Sequence, residues 1–381
     1  MIRLLLCTCL ASSAFAHGGT LASEALYYEG GELAAISSNF GLLTRRDDAL
    51  HWTCFERLSV SPFLALYAEG TWFVSTRQGA FSSPDEGCNW SPIAGLPEAP
   101  SSARFYRFDD VLFALAQDFP VPGLLYQRRG DEFQILSAAM PAGRAVDVRR
   151  RADGSWLLLV QDGQQEAQVF EAQADAQNWS QLAVLEGLHD PLFLNLNLEP
   201  GAIAIAATRG RAGELWSLDS EGALTRRAQL VSPVTDGRSD GDEHWLLTRM
   251  GMALKAVGEG PFLATEGPKH CLALNGEQLV ACDDLASGYL VLQRVADGWQ
   301  SAEPFSHIVP SDCSNAPVCA EQWSGIERMI EAVEVVDAGP PKVPVTPSPV
   351  PPQGCSCSAV QPDLWLLSLF LLFVVRRKSA C

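Results

Sequence analysis

Basic residues are scarce in this chain. Its 381 residues carry 27 Lys and Arg against 45 Asp and Glu, a formal charge of −18. With both ends set aside, residues 17–340 hold 22 basic and 44 acidic side chains. So acidic a surface excludes binding to a phosphate backbone, which needs clustered Lys and Arg. It suits solubility or cation binding. Catalytic signatures are also missing: no His-Glu-x-x-His, no Gly-x-Ser-x-Gly and no Walker pattern occurs. His51, His189, His244, His270 and His307 are scattered, each in a turn or surface context. Residues 17–310 contain no long amphipathic helical pattern. No nucleic-acid partner and no cofactor is expected.

The two ends are unlike the middle. Met1-Ile2-Arg3, an apolar run from Leu4 to Phe15, and Ala14-Phe15-Ala16 have the form of a secretory signal peptide over 1–16. Gly339 to Pro352 is rich in proline and reads as an extended, semi-rigid spacer. Gly354-Cys355-Ser356-Cys357 follows, then an apolar run from Leu364 to Val375 closed by Arg376-Arg377-Lys378. Counted back to Ala359, this stretch is about 17 residues, the short limit for spanning a hydrocarbon layer of ~30 Å. The basic cluster would stay on the cytoplasmic side.

Spacer, Cys pair, short apolar helix and basic end together resemble the myxobacterial C-terminal sorting signal, MYXO-CTERM. The resemblance covers about the last 30 residues. It implies processing by a membrane protease near Cys355 and Cys357, and display at the cell surface or outer membrane. Here the basic cluster is brief and three more residues follow it. A plain membrane anchor through the same helix is the alternative. The partners implied are the export and C-terminal processing machinery and a membrane.

Between the ends, short apolar runs alternate with Gly, Asp, Asn and Pro: Trp72-Phe73-Val74, Val111 to Leu115, Trp156 to Val160, Ile203 to Ala206, Trp245-Leu246-Leu247, Tyr289 to Leu292. Such runs read as strands. Ser83-Pro84-Asp85-Glu86-Gly87-Cys88-Asn89-Trp90 fits Ser-x-Asp-x-Gly-x-x-Trp, through Ser83, Asp85, Gly87 and Trp90. This resembles the Asp-box, the signature hairpin of sialidase-like (BNR) propellers. Weaker copies end at Trp52, Phe133, Trp179, near residue 225, around Trp245 to Phe262, and at Trp299. The average step of about 41 residues matches a four-stranded blade. The fold expected is therefore all-β, a six- or seven-bladed propeller with seven favoured. A strand from Glu24 to Glu29, or from Leu33 to Ile36, is expected to complete the last blade.

The domain plan that follows is a signal peptide (1–16), the propeller (17–319), a short helical segment (320–338), a linker (339–354) and the sorting signal (355–381). Cys7 and Cys9 leave with the signal, and Cys381 belongs to the tail with Cys355 and Cys357. The remaining six cysteines favour disulfides in an exported chain. Six allow fifteen pairings. Cys271 and Cys282 flank an Asn275-Gly276 turn and face each other across a hairpin. Cys313 and Cys319 close a small loop, and Cys54 and Cys88 then pair by elimination. A metal site on these cysteines lacks Cys-x-x-Cys spacing and a nearby His.

Catalytic members of the sialidase-like family carry an Arg-Ile-Pro motif and three arginines that grip a carboxylate. No Arg-Ile-Pro is present, and nothing marks Arg104, Arg107, Arg209 and Arg249 as such a set. Asp236 to Glu243 has oxygen-bearing side chains at alternate positions, so Asp236, Asp240 and Asp242 are weak calcium candidates. Arg238 sits at a ligand place, and a solvated inter-strand loop is the plainer reading. The function expected is a surface-displayed, non-enzymatic propeller that binds a protein or glycan, with a divergent extracellular glycoside hydrolase as the alternative.

Overall fold

The structure is a computed structural model describing residues 20–58, 64–97, 102–117, 123–137, 139–163, 166–296, 298–315 and 317–332. Seven antiparallel sheets follow one another along the chain, each built from four consecutive strands. Their innermost strands are Ser23–Glu29, Leu64–Ala68, Ser102–Phe108, Arg144–Arg150, His189–Leu194, Val234–Asp240 and Leu272–Asn275. The first and the last of these touch, so the seven sheets close into a ring. This is a seven-bladed β-propeller.

The central strands are apolar for a physical reason. Trp156–Gln161 and Ile203–Arg209 are covered on both faces by neighbouring blades, so they read as continuous rather than alternating runs. Each of the seven blade interfaces has its own apolar layer. Between blades 3 and 4, for example, Phe113 meets Trp156 edge to face at 4.9 Å. The aromatic markers of the sequence also share one place. Trp52, Phe133 and Trp299 lie in the fourth strand of their blades, and Trp90, Trp179 and Phe262 immediately precede it.

Closure differs from the expected arrangement. Ser23–Glu29 and Glu32–Ser38 are the two inner strands of blade 1 and complete no other blade. Blade 7 is made of its own four strands. The N-terminal stretch instead stitches blade 7 to blade 1: Leu285 N–H donates to Leu21 O at 2.7 Å and Ser23 N–H to Asp283 O at 3.1 Å. The C-terminal arm does the rest. Ile308–Pro310 runs parallel to Ala49–Thr53 as a fifth, outermost strand of blade 1. Helix α1 (Pro317–Ala332) follows; it starts before residue 320, so the boundary expected at 319/320 falls inside it. Trp323 packs on Trp52 at 5.5 Å and Ile326 is buried.

Two expected disulfides are corrected. Cys54 pairs with Cys319, and Cys88 with Cys313, rather than Cys54 with Cys88 and Cys313 with Cys319. The reason is the arm, which lies along blades 1 and 2 and brings its two cysteines to theirs. Cys271 and Cys282 are bridged, with Cα atoms 4.9 Å apart. Three disulfides fit an exported protein. Among the described residues no helix is long and apolar enough to cross a membrane. Residues 1–16, the linker 339–354, and Cys355, Cys357 and the apolar run Leu364 to Val375 lie outside the described residues.

Candidate functional site

Three places gather polar side chains: the turn at Ser83 to Trp90, the innermost strands, and a cleft at the rim.

The turn joins the third and fourth strands of blade 2. Glu86 and Gly87 both have positive φ, 62° and 89°. Asp85 accepts from Asn89 N–H at 2.9 Å and from the Ser83 hydroxyl at 2.7 Å, and Ser83 Oγ accepts from Gly87 N–H at 2.9 Å. Burial opposes ionisation of Asp85, but the Asn89 amide and the Ser83 hydroxyl outweigh it and hold the carboxyl below its ordinary range. A Cβ on Gly87 would meet Thr53 at 3.2 Å and Trp90 at 3.3 Å. The Thr53 hydroxyl donates to Glu86 O at 2.9 Å, tying the turn to blade 1. Asp219 makes the same bond, accepting from Ala223 N–H four residues on at 2.8 Å and also from Glu221 N–H at 2.9 Å, while Asp175 accepts from Gln177 N–H two residues on at 3.1 Å. These turns are architectural, with their acceptors used internally.

Two of the carboxylates on innermost strands, Asp147 and Asp236, join blades. Asp147 of blade 4 accepts from the Tyr106 hydroxyl of blade 3 at 2.9 Å, its neighbour Val148 N–H at 3.0 Å, and Phe193 N–H of blade 5 at 3.0 Å. Burial pushes its carboxyl above the ordinary range, and the Arg104 charge and the hydrogen bonds offset this in part. Asp236 of blade 6 repeats the device, accepting from Gly237 N–H and from Leu272 N–H of blade 7, both at 2.8 Å. Residues 236–240 are therefore strand rather than loop. Asp240 ends that strand and Asp242 lies in the turn after it. Among the described residues no three acidic, His or Cys side chains gather as a metal site.

The innermost strands also carry arginines: Arg104 and Arg107 in blade 3, Arg144, Arg149 and Arg150 in blade 4, and Arg238 in blade 6. Arg149 donates to Leu194 O at 2.6 Å. Burial first, and then the like charge of Arg238, lower its guanidinium below the ordinary value, while Asp147 acts the other way. Arg238 has Asp236 at 3.9 Å. Of the four arginines weighed in the sequence, Arg104 and Arg107 lie on an innermost strand. Arg107 pairs with Asp110 at 2.8 Å, Arg209 with Glu214 at 2.8 Å, and Arg249 lies in a turn of blade 6. Position in the first strand of a blade is what places Arg149 and Arg238 here, and it is readable only once the blades are phased. Nearby, Ser239 Oγ lies 2.7 Å from His244 Nδ1 and accepts from Asn197 N–H at 2.8 Å. His244 is buried, and burial keeps its imidazole below the ordinary value, with Asp242 opposing.

At the rim, a cleft of about 420 Å³ separates residues 226–230 of blade 5 from residues 258–262 of blade 6. That volume is within the range of small-ligand clefts.

No protein-family model matches this chain, and no curated protein matches it. Solved structures do. The extracellular domain of a putative one-component system from B. thetaiotaomicron matches with a TM-score of 0.52 and 12% identity, over 72% of this chain and 38% of that one. The extracellular domain of a putative hybrid two-component system from the same organism matches at 0.52 and 10% identity, over 69% and 37%. The chain thus spans well under half the length of these two proteins. At such identities the likeness is one of fold.

Proposed function

We propose that this chain is an exported protein displayed at the cell surface, whose propeller binds a protein or glycan without catalysing a reaction. One observation carries the choice of binding over hydrolysis. A glycosidase needs two carboxyl groups free to act on either side of the scissile bond. Asp147 and Asp236, on the innermost strands of blades 4 and 6, are committed to backbone amides of the next blade. Freeing them for catalysis would break those contacts between blades.

Several features support display. The sequence of 1–16 has the form of a signal peptide, the bridged cysteines require an oxidising compartment, and the tail from Cys355 resembles MYXO-CTERM. The turn at Ser83 to Trp90 supports kinship with Asp-box propellers, since its bonds are those such a box would make.

The test is a glycan array and an aryl-glycoside panel, run on the disulfide-intact protein. Binding without turnover is expected. Turnover of any aryl glycoside above the protein-free control would reject the reading. Intact mass of the mature protein tests display: loss of residues 1–16 and of the segment after Cys355 is expected, and a retained Leu364 to Val375 rejects processing.

A further inference from the structure

The outermost strand of a blade leaves one edge without a neighbouring strand. In blade 1 that edge is occupied, because Ile308–Pro310 lies along Ala49–Thr53 as a fifth strand. Blade 5 presents the same kind of edge over seven residues, Leu224–Leu230, which among the described residues pairs as a strand only with Ala212–Leu218. Residues 226–230 are consecutive, and all of them line the rim cleft; so do the consecutive residues 258–262 opposite. Side chains alternate between the faces of a strand. A wall of consecutive residues is therefore built by the strand's backbone as well as by its side chains, and the cleft runs along the edge.

The lining tells what would fit. Leu198, Leu230 and Phe262 belong to or pack on the apolar layer between blades 5 and 6. Arg227 is held by Glu199 and by Ser217 Oγ at 2.8 Å. Arg226 is exposed and has no ion pair among the described residues. A free cation beside an open strand edge is out of keeping with a chain of charge −18. On the opposite wall, exposed Glu259 would repel acidic groups from its own side.

We propose that this edge receives an extended peptide of a partner protein, added to blade 5 as a fifth strand, with acidic side chains on the Arg226 side and apolar ones toward Phe262. It rests on the binding reading above and names the partner's chemistry. Main-chain hydrogen bonds supply the affinity of such strand addition, and alternate side chains supply the selectivity.

The test uses the disulfide-intact protein to select from a displayed library of linear heptapeptides. The strongest selected peptide then serves as probe for fluorescence anisotropy and amide hydrogen exchange. Selected peptides should alternate apolar residues with Asp or Glu. Bound peptide should slow the outward amides among residues 225–229. Arg226→Glu, at an exposed position that leaves the urea midpoint unchanged, should weaken binding about tenfold. Selection with no acidic preference overturns the proposal, and so does binding that leaves those amides unprotected. If glycans bind on the array and no peptide is selected, this edge reading fails while the binding reading stands; if neither binds, both fail.

Discussion

Replacing Cys54 and Cys319 together by alanine removes one of the two bridges that hold the C-terminal arm, and its cost depends on the other. With Cys88–Cys313 intact, the loop that Cys54–Cys319 closes contains only about 34 residues up to Cys88 and about 6 from Cys313, roughly 40 in all. Chain entropy then assigns the bridge about 4 kcal/mol. Removing Cys88–Cys313 next opens a loop with a sequence separation of 225, which corresponds to about 5 kcal/mol. The second removal should therefore cost more than the first, whichever is made first. Urea unfolding followed by tryptophan fluorescence reads this directly, since Trp52 and Trp323 report on the docked arm. A thiol titration provides the sharper check. In the Cys54→Ala, Cys319→Ala variant the structure leaves no unpaired cysteine among the six. The local pairing Cys54–Cys88 and Cys313–Cys319 would leave two, Cys88 and Cys313, and would make the two costs independent. Two free thiols in that variant would refute the crossed pairing of the arm to blades 1 and 2.

Asp147→Ala should cost about 3 kcal/mol, because the Tyr106 hydroxyl and two backbone amides lose their acceptor in a buried place; a urea-derived loss below about 0.5 kcal/mol contradicts the blade-joining role. His244 is held below its unfolded value of about 6.5, so the unfolded chain binds the proton more readily and the stability from neutral imidazole is present above that value and lost on acidification through the folded one. The difference in urea midpoint between wild type and His244→Asn should shrink from pH 7.5 to pH 5, and a constant difference opposes the assignment. Gly95→Ala should destabilise by well over ~1 kcal/mol, since Gly95 has φ +84° and a Cβ there would fall 1.8 Å from Phe133 O of blade 3; thermal melting checks it.

What the sequence revealed was local. The turn at Ser83 to Trp90 could be read because the bonds of Ser83 and Asp85 close within a few residues. The blade repeat could be read because an aromatic recurs in or just before the fourth strand of six blades; blade 5, with Leu224–Leu230, lacks it, and the sequence left six or seven blades open. Cys271 and Cys282 share a hairpin and so announce each other. Cys54 and Cys88 do not announce Cys319 and Cys313, because ring closure alone brings partners 265 and 225 residues apart together. Asp147 and Asp236 look like ordinary strand and turn residues, and their role exists only once the next blade supplies its amide. Asp236 to Asp240 reads as loop in the sequence because its polar side chains conceal a strand paired with Glu243–Thr248. The rim cleft belongs to two blades, so no single stretch of sequence outlines it.

The C-terminal arm also sets how this molecule would carry mechanical load. A pull applied beyond residue 332 reaches α1 first. From there it passes through Cys319 into blade 1 and through Cys313 into blade 2, before it can act on the three-residue strand Ile308–Pro310. Hydrogen bonds of that short strand are thereby shielded from peeling, and tension is delivered to covalent bonds at two neighbouring blades. A propeller pulled from its C-terminal side would load two covalent bridges before it lost a strand.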